Sequence, residues 1–137
     1  MYGIAYKEGY KYQLQSQYSV ELPIKPSEAI VTEYIELTRD GTLTIKHGYC
    51  WDGPSGPTYD RRCFMRASLV HDALYQLIRE GELENHLYRC AADQVLRDIC
   101  IEDGMNRVSA ALVYYAVRWF AGKAALPSGQ NPTIYAP

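Results

Sequence analysis

The chain has 137 residues, 47% of them hydrophobic and 22% charged, with a formal net charge of −2. That length supports one domain with a substantial core. The charge excludes nucleic acid as a main partner, because phosphate contacts need a clustered basic excess. Arg61, Arg62 and Arg66 form a basic cluster too short to alter that balance.

No run reaches the ~20 apolar residues of a membrane-spanning helix. The longest candidate, residues 108–122, is interrupted by Ser109 and Arg118, so no transmembrane segment is expected. Met1-Tyr2-Gly3-Ile4 lacks the basic and apolar regions of an export leader. The expectation is therefore a protein made in the cytoplasm, later released by lysis or carried in a particle. Cys50, Cys63, Cys90 and Cys100 include no CxxC pair, which favours reduced, mostly buried thiols over a zinc cluster. Tyrosine is abundant, with 13 copies against 2 Phe and 2 Trp. It suits cleft walls, where one ring end is apolar and the other hydrogen-bonds, and it equally fills ordinary strand positions.

Residues 1 to about 50 read as β. Tyr10 to Leu22 alternates in part and is ended by Pro23 and Pro26. Tyr34 to Lys46 is the clearest hairpin, turning at Asp40-Gly41. A two-residue loop there would put Leu37 and Leu43 on opposite faces. A three-residue loop, Arg39-Asp40-Gly41, pairs Leu37 with Leu43 and Ile35 with Ile45, which gathers all four on one face with Gly41 left-handed. The second register is expected. Residues 46–60 then form a shaped loop, with two glycines and two prolines in Gly53-Pro54-Ser55-Gly56-Pro57.

Three helices follow. The first spans about Arg61–Arg79, capped by Thr58 or Asp60 and ended by Gly81. Its apolar half carries Leu69, Val70, Ala73, Leu74, Leu77 and Ile78. A narrow polar stripe of Ser68, His71, Asp72 and Tyr75 lies opposite. The second spans about Leu83–Glu102, and the short link at Gly81 makes the two antiparallel. The third, about Asn106–Ala121, is apolar nearly all round and should be the buried one. The expected class is α+β: an N-terminal antiparallel sheet of hairpins, then a three-helix part with an antiparallel pair. Residues 1–122 form one domain in this reading and 123–137 an extended tail.

The chemistry centres on Ala67-Ser68-Leu69-Val70-His71-Asp72-Ala73-Leu74-Tyr75. Asp is costly in an apolar helix unless a partner or metal compensates it. Adjacent helix residues point 100° apart, so His71 and Asp72 serve neighbouring points rather than each other. His71 suits a general base toward water, and such a base needs a group to fix its tautomer. Asp93 lies at similar depth on the facing helix, and Tyr75, one turn after His71, can donate to the same carboxylate. Arg89 and Arg97 flank Asp93 at i−4 and i+4, so an ordinary surface ion pair also accounts for it. The Asp72 carboxylate with loop carbonyls of Trp51, Gly53 or Gly56 would suit Ca²⁺, which takes hard oxygen ligands. A plain structural turn around Trp51 accounts for the same loop.

Two resemblances bear on these residues. The strings WDGPSGPT (51–58), RASLVHDALYQLIR (66–79), Ala92-Asp93 and YYAVRWF (114–120) resemble an uncharacterised family of small phage and prophage proteins. That implies a phage origin and other phage proteins as partners. Over about residues 51–93, His71-Asp72-Ala73-Leu74-Tyr75 is similar to the HDxCY helix of secreted phospholipases A2. The glycine loop precedes His71 by 15 to 18 residues and Asp93 follows it by 22. The likeness implies His71 as general base, Asp93 and Tyr75 as its orienting groups, and Asp72 as a calcium ligand. It also implies Gly53 near the oxyanion and a lipid or ester substrate. Ala67, Ser68 and Leu74 stand where those enzymes have cysteines, and prolines enter the loop. A third pattern, His47…His71-Asp72…Asp93, resembles the metal-dependent phosphohydrolases named for that motif.

The functional expectation is a His/Asp hydrolase in which His71, Asp93 and the loop meet at a solvent-reachable cleft. The competing expectation is a non-enzymatic virion or host-interaction component in which the motif only locks the structure together.

Overall fold

The computed structural model describes residues 4, 6–7, 12–53 and 61–120. Thr58, Asp60, Gly56 and the 123–137 tail lie outside them. The class is α+β, with antiparallel strands followed by three helices. The described residues form two compact units, one ending at Asp52 and one beginning at Gly53.

The β unit contains β1 (Tyr6–Lys7), β2 (Tyr12–Leu14), β3 (Tyr18–Glu21), β4 (Ile30–Val31), β5 (Ile35–Leu37), β6 (Thr42–Ile45) and β7 (Cys50–Trp51). One sheet runs β1-β2-β7 and the other β3-β6-β5-β4, and every pairing is antiparallel. The expected Tyr10–Leu22 strand is in fact two, because Gln15-Ser16-Gln17 breaks the ladder and the halves join different sheets. In the central hairpin, Leu37 faces Leu43 and Ile35 faces Ile45, the register expected of a three-residue loop. All four side chains are fully buried. Gly41 takes φ +98°, and a Cβ there would lie 2.3 Å from the Leu22 carbonyl oxygen. Only glycine fits that turn.

The helical unit opens with a 3₁₀ turn, Arg61–Cys63, and continues as α1 (Met65–Arg79), α2 (Asn85–Glu102) and α3 (Arg107–Phe120). Both α1 and α2 close with one motif. The Glu82 N–H donates to Leu77 O and Gly81 N–H to Ile78 O; Met105 N–H donates to Cys100 O and Gly104 N–H to Ile101 O. Gly81 and Gly104 have positive φ, as that helix ending requires. Glu84 accepts from the Leu87 N–H at the start of α2, and Asn106 from the Ser109 N–H at the start of α3.

Helices α1 and α2 are antiparallel. Arg66 near the start of α1 reaches Glu102 and Asp103 at the end of α2, while further on His71 meets Asp93 and Tyr75 meets Arg89. Arg66 is buried and grips Asp103 with two hydrogen bonds, 3.0 Å from Nε and 2.9 Å from Nη2. Its charge is therefore a structural clasp.

The burial of the helices departs from expectation. Twelve of the fifteen residues of α1 are buried, including Ser68, His71 and Tyr75 from the polar stripe. Helix α3, expected to be the buried one, exposes Val108, Leu112, Tyr115 and Trp119, the last at 75%. Apolar composition does not say which face finds a partner. Among the cysteines only Cys100 is fully buried, and none of the four is in a disulfide. Burial, then Asp103 nearby, push the Cys100 thiol up to about 12.

Candidate functional site

Near the middle of α1, the apolar positions Leu69, Val70, Ala73 and Leu74 are fully buried and fix the helix rotation. That rotation aims His71 and Tyr75, one turn apart, at α2. On α2 the buried residues Ala92, Val95, Leu96 and Ile99 carry Asp93 inward with them. Asp93 is fully buried, at 0% exposure.

The three side chains meet. Nε2 of His71 lies 2.7 Å from Oδ1 of Asp93, and the Tyr75 hydroxyl donates to the same oxygen, also at 2.7 Å. The His71 and Tyr75 rings are tilted by 36° to each other, 4.2 Å between centroids. The other carboxylate oxygen, Oδ2, accepts from Nη1 of Arg118 on α3 at 2.8 Å. Arg89 completes the circuit. Its Nε donates to the Tyr75 oxygen at 3.1 Å, and its Nη2 donates to the Val117 and Arg118 carbonyls at 3.1 and 2.9 Å. Those carbonyls belong to the last described turn of α3, so Arg89 ties α2 to α3 there.

Electrostatics follow from the contacts. Burial pushes the Asp93 carboxyl upward, but donors from His71, Tyr75 and Arg118 outweigh it and hold the group below its usual range. Asp93 is thus a carboxylate at neutral pH. An ionised carboxylate only accepts, so Nε2 of neutral His71 carries the proton and Nδ1 keeps its lone pair. Nδ1 makes no hydrogen bond among the described residues. Burial, then Asp93, raise the Tyr75 phenol well above its ordinary value, so it stays a donor.

The structure thus brings together His71, Tyr75 and Asp93. The ordinary surface pairing of Asp93 with Arg89 or Arg97 is not what forms: Arg97 pairs with Asp98 and lies over the Tyr114 ring, and Arg89 serves Tyr75 and α3. Sequence reasoning missed Arg118 and the bridging role of Arg89. The available signal was a lone arginine inside the apolar run 108–122.

Asp72 is half-buried on α1, next to His71. Trp51 is buried at the end of β7, 5.6 Å from the Tyr12 ring, and Gly53 follows it with φ +84°. His47 is exposed in the turn after β6. Among the described residues no three His, Cys, Asp or Glu side chains gather as metal ligands. The H…HD…D pattern therefore forms no ligand cluster there. The Asp72 carboxylate is a hard oxygen donor, which suits Ca²⁺ better than Zn²⁺.

No curated protein and no solved structure matches the chain. A family model does match, over residues 29–117, a span that includes His71, Tyr75, Arg89 and Asp93 and ends one residue before Arg118. The protein belongs to that family, DUF1353, whose members are described as proteins of unknown function.

Proposed function

We propose that the chain is a phage- or prophage-encoded His/Asp hydrolase, an esterase of the phospholipase A2 type with His71 as general base. The observation that carries the reading is the His71–Asp93–Tyr75 arrangement. The His71 ring is held by Nε2 against a fixed carboxylate, while Nδ1 has no hydrogen bond among the described residues. That is the geometry a base needs to take a proton from water.

In this mechanism Nδ1 removes a proton from water as the oxygen attacks the ester carbonyl. The imidazolium so formed is stabilised by the Asp93 carboxylate, which Tyr75 and Arg118 hold in place. When the intermediate collapses, the acyl–oxygen bond breaks and the ring returns its proton to the leaving alkoxide. Asp72, with carbonyls of Trp51, Gly53 and Gly56, would hold Ca²⁺. When bound, that ion supplies charge stabilisation for the developing oxyanion.

A second reading is favoured by one observation. His71 is only 6% exposed, and its network ties all three helices. On that reading the protein is a virion or host-interaction component and the motif is a clamp.

Release of fatty acid or phosphate from a panel of phospholipid and simple ester substrates, with and without Ca²⁺, separates the two. The hydrolase reading expects turnover that falls by about 10²–10⁴ in His71→Ala. Activity that survives in His71→Ala removes the proposed base. No turnover by the wild-type chain on any substrate leaves the clamp.

A further inference from the structure

The support of this site extends to α3, outside both the α1–α2 pair and the stretch that carries the phospholipase likeness. We propose that Arg118 is a positioning residue of the site: from the last turn of α3 it fixes the rotation of the Asp93 carboxylate, so that Oδ1 faces His71 and Tyr75. The inference builds on the hydrolase reading for its kinetic arm alone.

The geometry carries the argument. A carboxylate can rotate about its terminal torsion, which is broad and two-fold rather than sharply staggered. Both His71 and Tyr75 bond the same oxygen, Oδ1. Without a partner Oδ2 would be a buried, unsatisfied anionic oxygen, and the group would turn or draw in water to satisfy it. Nη1 of Arg118 at 2.8 Å removes that freedom. The α3 turn bearing Arg118 is itself pinned, because Arg89 bonds the carbonyls of Val117 and Arg118 with one arm and the Tyr75 hydroxyl with another. Two links thus run from α3 into the site, one to each of the groups that orient His71. Arg118 keeps 29% of its side chain exposed, so the guanidinium can be altered without opening the core.

The test uses the full chain, with Arg118→Gln, Arg118→Met and Arg118→Lys. The spectroscopic readout is the ring N–H proton of His71 in a proton NMR spectrum at one fixed pH above neutrality. His47 and His86 are exposed, so their ring protons exchange quickly and leave the field to His71. Wild type is expected to show a downfield, slowly exchanging ring proton. In the two neutral variants that proton broadens into exchange with water, and Arg118→Lys, which retains a donor and charge, restores most of it. Two neutral variants are used because one of them can fail to fold. The kinetic readout is a fall in kcat of about 10- to 100-fold with KM within about threefold, again rescued by lysine. A purely structural role would lower the melting temperature and leave both readouts unmoved. A folded neutral variant that keeps the wild-type ring proton overturns the proposal. If wild type turns over no substrate, the hydrolase reading falls, and the ring proton still decides the role of Arg118.

Discussion

His71 and Tyr75 sit one helical turn apart on α1, their rings 4.2 Å between centroids, and both bond the same oxygen of Asp93. The pair acts as a two-pronged fork on one buried anion. Several consequences can be measured.

Asp93→Ala removes the acceptor that three donors share. It leaves Arg118 without its carboxylate and Tyr75 without its acceptor in a buried setting. The expected cost is about 3–5 kcal/mol, seen as a lower urea midpoint. A loss under about 1 kcal/mol would show that water replaces the network without difficulty.

Asp93 also sets an acid limit. Its folded-state carboxyl titrates below the ordinary value of about 3.9, because burial is outweighed by the His71, Tyr75 and Arg118 donors. Its stabilising contribution is therefore present above that unfolded value and is lost as pH falls through the lower, folded one. Thermal melts from pH 2.5 to 7 should show wild type losing stability below about pH 4. Asp93→Asn should start lower and lack that part of the acid slope. Equal slopes would remove Asp93 from the acid response.

Tyr75→Phe keeps the ring volume and deletes a single oxygen, which donates to Asp93 and accepts from Arg89. The expected loss is about 1–3 kcal/mol, smaller than for Asp93→Ala. Ester turnover should fall less than in His71→Ala. A Tyr75→Phe protein as inactive as His71→Ala would mean that Tyr75 does more than orient.

Asp72 can be separated from the base next to it. If Ca²⁺ binds through Asp72, saturating CaCl₂ raises the melting temperature, equivalent to about 2.7 kcal/mol at one hundred times Kd. Asp72→Asn should remove that shift while leaving the EDTA-treated melt near wild type. An unchanged wild-type melt on adding CaCl₂ would end the calcium role.

Gly41→Ala probes the hairpin. The added Cβ would meet the Leu22 carbonyl oxygen at 2.3 Å in a left-handed backbone. The expected cost is at least about 2 kcal/mol. Gly81 has a similar φ of +83° but nothing within 4 Å, so Gly81→Ala should cost clearly less. Equal losses would mean the close approach to Leu22 is relaxed at no cost.

Local rules account for much of what was legible beforehand. The Leu37–Leu43 and Ile35–Ile45 register followed from one face needing four apolar residues. The end of α1 followed from Gly81. The meeting of His71, Tyr75 and Asp93 followed from helical spacing and a short antiparallel link. The break in the first strand was less legible, because Tyr12–Glu21 alternates across both halves and the choice of sheet depends on distant partners.

Local pattern alone specifies the class, the hairpin register, the antiparallel helix pair and the meeting of His71, Tyr75 and Asp93, though not the burial of that meeting. Each depends on periodicity or on residues brought together by one short turn. Which helix is buried depends on docking, since α3 is more apolar along its length yet leaves Val108, Leu112, Tyr115 and Trp119 exposed. Docking alone decided that Asp93 answers to Arg118 rather than to Arg89 or Arg97, its neighbours on α2. An ion pair between residues 25 apart depends on how two helices dock. Docking is a property of packed surfaces that no local pattern encodes.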